Sequence, residues 1–341
     1  MEGKNLEKYV KKFVKFNLFY YIKNMSDFYT LALSGGGYKG LFSAHVLSRL
    51  EKELGCPVAQ KFDLLSGTSI GGIIAIALAL EIPAGDIEQL FLEKGKKIFK
   101  KRTFISTGLV LMSKYSNSGL KEVLGELFGD KIIADLKHRV IIPAINYTEG
   151  KPQVFKTPHN PKLKNDKNLK LVDVALATSA APTYFPVFSS NAGDFVDGGL
   201  MANHPGYFAV VEAMSYLNQP LENIHQLHIG TISQKFTSSS SKYVLGSSFW
   251  SWKENIFNLM FSCQEQSAEN LLHFYLKDRY VSIDSVAADE QAKQIKLDKI
   301  NKKSSHILIQ KADDAVKCYL GNLECFNKLK KHQPGEYVPN N

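Results

Sequence analysis

Apolar residues fall into two rhythms along this chain. Phe28–Leu33, Phe62–Leu65 and Val140–Tyr147 are short, dense apolar runs, as strands buried on both faces are, and His225–Thr231 reads as another strand. Gln153–Lys156 reads as a further short strand. Between them lie longer stretches that read as helices: about 38–54, Ile70–Leu80, 84–100, 118–128 with Asn117 or Ser118 as a cap, and Leu171–Ala180. Strands alternating with helices predict an α/β sandwich around a largely parallel sheet. Residues 249–277 and 310–330 predict added C-terminal helices, and the Pro334–Asn341 tail is expected to fray.

Residues 5–16 carry a different pattern. At about 100° per residue, Leu6, Tyr9, Val10, Phe13, Val14 and Phe16 fall on one side of a helix, with Lys4, Lys8, Lys11, Lys12 and Lys15 opposite. Such a helix either lies on a membrane surface or packs on the protein's own core or a second subunit. The expected organisation is an N-terminal basic helix at 1–24, an α/β core at 25–235 and a mainly helical extension at 236–341.

Charge sharpens this picture. The formal net charge is +9, and two segments carry all of it. Residues 1–23 hold six lysines against two glutamates, and residues 151–170 six lysines against one aspartate. A basic excess placed this way suits an anionic partner, either phospholipid headgroups or a nucleotide, or is simply solvated surface. The four cysteines form no C-x-x-C pair, which argues against a zinc site or a disulfide framework and suits a reducing cytosol. Lysines interrupt every N-terminal apolar run, so no signal peptide is expected, and Ile70–Leu80 is too short to span a bilayer.

Two glycine-rich turns carry the chemistry. Gly67-Thr68-Ser69-Ile70-Gly71 is a G-x-S-x-G sequence set between an apolar strand and an apolar helix. There a tight turn thrusts the serine outward over a helix N-terminus, which favours a developing alkoxide. Ser34-Gly35-Gly36-Gly37-Tyr38-Lys39-Gly40 follows the first strand, and its successive amides form a concavity for an anion or an oxyanion. Lys39 either adds charge there or holds the loop. The spacing Gly35-x-Gly37-x-x-Gly40 also fits a dinucleotide fingerprint, but that motif needs an acid at the end of the second strand. The serine turn occupies that place, and Asp63 lies near the strand's start.

A serine nucleophile needs a base. His204, His225, His228, His273, His306 and His332 come late enough for a Ser-His-Asp triad, with His204 the most interesting of them. Asp197, in Asp197-Gly198-Gly199, is the other candidate. The residues alone leave this open.

Taken together, the three elements resemble the patatin-like phospholipase family: a glycine-rich loop, then G-x-S-x-G, then D-G-G. The family often places Asp or Asn where Ser34 stands here. The stretch Ala177–Pro186 is also similar to the family's. The resemblance implies a three-layer α/β/α sandwich with Gly35, Gly36 and Gly37 as oxyanion hole, Ser69 as nucleophile and Asp197 as base of a Ser–Asp dyad. A narrower resemblance, over Leu31–Phe42 and Phe62–Gly72, is to the bacterial CapV-type phospholipases, effectors of antiphage signalling switched on by a cyclic dinucleotide. It implies a cytoplasmic enzyme, idle at rest, that acts on phospholipids of the inner membrane. It also implies a second site for a cyclic dinucleotide, for which no motif names residues, and it leaves a homo-oligomer open. No metal, cofactor or nucleic-acid polymer is called for.

Overall fold

A computed structural model describes residues 26–100, 113–232 and 249–340. The expected N-terminal helix therefore lies outside the described residues. The described residues form one sheet of eight strands: β1 (Phe28–Leu33), β2 (Leu64–Gly67), β3 (Val140–Asn146), β4 (Lys151–Lys156), β5 (Phe188–Ser190), β6 (Gly193–Asp197), β7 (Ile224–Ile229) and β8 (Tyr280–Ile283). Their order is β5-β6-β3-β2-β1-β7-β8, with β4 paired to β3. The five strands from β3 to β8 are parallel, β4 and β6 run against them, and β5, antiparallel to β6, runs with them.

Side chains of a strand point alternately to the two faces, and the parallel strands bury both. Leu31, Leu33, Leu65, Ile142 and Ile229 join the larger apolar cluster. Phe28, Leu64, Ile141 and Ile224, on the same strands but at positions of the other parity, join the smaller. The larger cluster is completed by α1 (Gly40–Leu54), α2 (Ile70–Ala79), α3 (Ala84–Ile98), α4 (Ser118–Phe128) and α5 (Leu171–Thr178). After α6 (Gly199–Ala202), α7 (Gly206–Tyr216) and α8 (Phe249–Leu276) complete the smaller. Beyond α9 (Asp289–Ala292), α10 (Lys302–Gly321) and α11 (Leu323–Lys331) return to the first face. Helices thus cover both faces, a three-layer α/β/α sandwich. All ten residues of α2 are buried, so the helix behind the serine turn is enclosed on every side.

Several elements depart from the sequence expectation. The second strand is Leu64–Gly67, two residues later than its apolar run, because Asp63 turns its carboxylate onto the Tyr29 amide (2.8 Å) and leaves the ladder to Leu64. Two helices separated by Asn322 replace the single one expected over 310–330, since the Asn322 side chain accepts from the Cys325 amide (3.3 Å) and caps the second. Asn117 precedes α4 without a side-chain cap bond. The C-terminal tail does not fray as far as residue 340. The Gly335 amide donates to Asp63 (2.9 Å) and the Asn340 amide to the Pro158 carbonyl (2.8 Å). Among the described residues no helix is long and apolar enough to cross a membrane.

Candidate active site

The serine turn is built on backbone contact. A Cβ on Gly67 would stand 2.1 Å from the Gly71 carbonyl oxygen, and one on Gly71 would stand 2.3 Å from that of Leu33. Strand end and first helical turn therefore pass with no space for side chains, which is why both glycines flank the serine. Ser69 itself adopts φ 55°, a conformation L-residues avoid unless the surroundings impose it. Here Thr178 imposes it. Its hydroxyl accepts from the Ser69 amide (3.0 Å) while donating to the Pro143 carbonyl (2.6 Å). Thr68 is anchored through its own hydroxyl to the Ala202 carbonyl (2.6 Å).

The sheet brings Asp197 to this turn. β2 pairs with β3 only at Val140 and Ile141, whereas β6 pairs antiparallel at Ala144–Asn146. With β4 on the other edge of β3, β2 and β6 share one edge and approach each other head on. The C-terminal end of β6 meets the turn that leaves β2. Ser69 Oγ donates to Asp197 Oδ2 at 2.7 Å, and the Gly199 amide donates to Oδ1 at 2.6 Å. Asp197 is 4% exposed. Burial pushes its pKa up to about 6 despite the hydrogen bonds from Ser69 and Gly199, which favour the anion.

The glycine loop lies against the serine. A Cβ on Gly35 would be 3.2 Å from that of Ser69 and 2.5 Å from Asn203 Oδ1. The Gly35 amide donates to the Asn203 carbonyl (3.1 Å) and the Tyr38 amide to that of Leu297 (2.7 Å). Among the described residues, the Gly36 and Gly37 amides donate to no acceptor. They are donors waiting for one, in a cavity of about 500 Å³ that Ser69 and Asp197 also line. Its apolar walls include Ile73, Ile98, Phe99, Leu120, Phe185 and Ile295, which suits a hydrocarbon chain.

Lys39 also lines this cavity and holds the neighbouring turn, donating to the Ile232 carbonyl (3.1 Å). Burial lowers its pKa, partly offset by Glu265 and Asp284. Gly40 packs on Ile70, where a Cβ would come within 2.7 Å. Gly198 passes the Pro143 carbonyl, where one would come within 2.2 Å.

Among the described residues no histidine bonds to Ser69. His204 uses both nitrogens elsewhere, facing the Tyr280 hydroxyl (2.9 Å) and accepting from the Gly206 amide (3.0 Å). His228 lies between Ser34 and Ser282, 2.9 Å from each hydroxyl. The two rings stack at 3.8 Å, and burial lowers both pKa values, that of His204 to about 3. His225 and His332 sit beside Tyr29 at the far ends of the strands, His273 packs edge-on against Tyr280, and His306 is exposed.

Sequence reasoning missed Asn203, Thr231 and Glu265, which belong to no motif. The Asn203 amide group donates to Glu265 (2.8 Å), and Thr231 donates to the Gly35 carbonyl (2.8 Å). Only the fold brings them to the glycine loop. Burial and nearby Asp284 raise the Glu265 pKa to about 7.

The family model described as patatin-like phospholipase matches residues 31–210, a span that holds the glycine loop, the serine turn and Asp197. The chain belongs to this family. It is 42% identical to a protein of Pseudomonas aeruginosa named cGAMP-activated phospholipase, over 90% of this chain and 92% of that one. Proteins of the same name from Escherichia coli and Vibrio cholerae are 35% and 34% identical, each over 79% of this chain and over 83% and 84% of their own. Thr231, Glu265 and Leu297 lie beyond the family match but within a chain that these relatives parallel closely in length.

Proposed function

We propose that this protein hydrolyses fatty-acyl esters of membrane phospholipids through a Ser69–Asp197 dyad and is switched on by a cyclic dinucleotide. The observation that carries the chemistry is the 2.7 Å hydrogen bond from Ser69 Oγ to a buried carboxylate. Asp197 takes the Ser69 proton as Oγ forms a bond to the ester carbonyl carbon. The carbonyl oxygen becomes an oxyanion, and the Gly36 and Gly37 amides donate to it. The bond to the lipid alkoxy oxygen then breaks, and the alcohol leaves with the proton held by Asp197. Water attacks the acyl-Ser69 ester, passing a proton to Asp197, and the fatty acid departs as that proton returns to Ser69.

The relatives' shared name supports both halves of the proposal, the phospholipase activity and control by cyclic GMP–AMP. Action at a membrane surface follows from the substrate. The test is fatty-acid release from phospholipid vesicles with and without cyclic GMP–AMP. Release that depends on the nucleotide and disappears in Ser69→Ala is expected. Undiminished release by Ser69→Ala refutes the dyad, and equal release without nucleotide refutes the switch. A fluorophosphonate that fails to label Ser69 of the nucleotide-activated protein would favour a non-catalytic binding module.

A further inference from the structure

The Gly35–Gly36 peptide holds one acceptor and one donor, and it is the acceptor that is tied down. Thr231 Oγ1 donates to the Gly35 carbonyl at 2.8 Å. Because a trans peptide is planar, its C=O and its following N–H point in opposite directions, and the chain has no cis peptide among the described residues. A hydroxyl gripping the Gly35 oxygen therefore turns the Gly36 N–H to the side away from Thr231. Two glycines would otherwise let this peptide rotate freely. No side chain could stand between the two residues, since a Cβ on Gly36 would fall 2.4 Å from Thr231 Oγ1.

Thr231 is itself held with unusual firmness. It is 3% exposed and sits in the turn that leaves β7. The residue before it, Gly230, donates its amide to the Ile283 carbonyl (3.0 Å) and accepts at its own carbonyl from Ser43 Oγ (2.8 Å). The residue after it, Ile232, has φ 65°, a genuine outlier for a β-branched side chain. Its amide donates to Asp284 (2.8 Å), and its carbonyl accepts from Lys39 (3.1 Å). Strain of this kind persists only where the surroundings over-determine it, and here four tethers converge on one threonine.

We infer that Thr231 is a positioning residue for the ester hydrolysis: its hydroxyl fixes the Gly35–Gly36 peptide so that the Gly36 amide donates to the oxyanion. The inference rests on the Ser69–Asp197 reading and adds to it a residue outside the span of the family match. Lys39 and Asp284 act through it by holding its turn.

The experiment compares Thr231→Val, which keeps the shape and removes the hydroxyl, with Thr231→Ser, which keeps the hydroxyl and removes the methyl. Both are assayed with cyclic GMP–AMP on a soluble p-nitrophenyl ester, beside wild type and Ser69→Ala. Thr231→Val is expected to lower kcat by about ten- to a hundredfold, somewhat less than the loss on deleting an oxyanion donor outright. KM should stay within about twofold, because the oxyanion forms only in the transition state. Thr231→Ser should keep most of kcat. Thermal unfolding checks that each variant is folded at the assay temperature, and Thr231→Ala replaces Thr231→Val if the latter is not. A wild-type kcat in Thr231→Val, or an equal loss in Thr231→Ser, overturns the inference. Activity in Ser69→Ala instead overturns the dyad reading, so the two failures are told apart.

Discussion

Replacing Asp197 by asparagine should make the protein inactive and more stable at once. The carboxylate is buried, and its pKa lies at about 6 where an ordinary aspartate has 3.8. A raised pKa in the folded state means that folding favours the protonated form. Between pH 3.8 and about 6 the folded chain therefore holds a proton that the unfolded chain has released, and stability falls as pH rises through that window. Above it the cost levels off. At ~1.4 kcal/mol per pKa unit it amounts to ~3 kcal/mol, an upper figure since the site relaxes. Asparagine carries no charge and can satisfy both neighbours. Its Oδ1 can accept from the Gly199 amide, and its Nδ2 can donate to Ser69 Oγ.

Urea unfolding at pH 7.5 should thus give Asp197→Asn a stability ~1–3 kcal/mol above wild type, a gap that closes as pH falls towards 4. The same ionisation governs the rate. Only the anion accepts the Ser69 proton, so wild-type activity should rise tenfold per unit below about pH 6 and level off above it. Asp197→Asn should lose about 10²- to 10⁴-fold, the range for a general base. A stability gap that does not change with pH, or a rate that falls as pH rises through 6, would refute this account of the dyad.

Two further outcomes test the frame around it. Gly71→Ala puts a methyl 2.3 Å from the Leu33 carbonyl oxygen, a backbone atom that cannot move aside, so it should cost ~3 kcal/mol or more, read as a fall in Tm or the loss of folded protein. His204 and His228 are buried and neutral, whereas in the unfolded chain each takes up a proton near pH 6.5. Stability should therefore drop below pH 6.5 by up to ~1.4 kcal/mol per pH unit for each ring, and His228→Gln should flatten the slope measured by unfolding at pH 7 and pH 5.

What could be read from the sequence was whatever sterics write into consecutive residues. The serine turn was legible because Gly67 answers to a backbone contact only four residues away, at Gly71, whereas the glycines of the loop answer to the distant Asn203, Thr231 and Leu297 and stood out only as a consecutive run. α7 was not, because its pattern is inverted. It exposes Val211 and Met214 while burying Glu212, which faces Lys156 and His159 from β4 and the loop after it. A buried ion pair between elements far apart in sequence leaves no periodicity to find. β6 and β8 are short and lack an alternating apolar run, so they too were missed. Asp197 stood out only as an acid before two glycines, since what makes it a partner for Ser69 is the register of β6 on β3.

Under the proposed mechanism, that register also explains how two residues would suffice where many serine hydrolases use three. In a triad, an imidazole fills the gap between serine and carboxylate and carries the proton between them. Here β2 and β6 run towards each other along one edge of β3, and their ends close that gap to a single hydrogen bond. There is no room for a ring, and in the proposed dyad Asp197 acts as base itself. An exposed aspartate would be too weak a base for the task. Burial corrects this by raising its pKa to about 6. The same burial that strengthens the base makes its anion costly to hold, so the dyad needs a rigid surround. Thr178 behind Ser69, Asn203 and Thr231 around the glycine loop, and the Leu297 carbonyl on the Tyr38 amide provide it. Two of these four, Thr231 and Leu297, come from beyond residue 210, so part of the rigidity that the dyad requires lies outside the span the family shares.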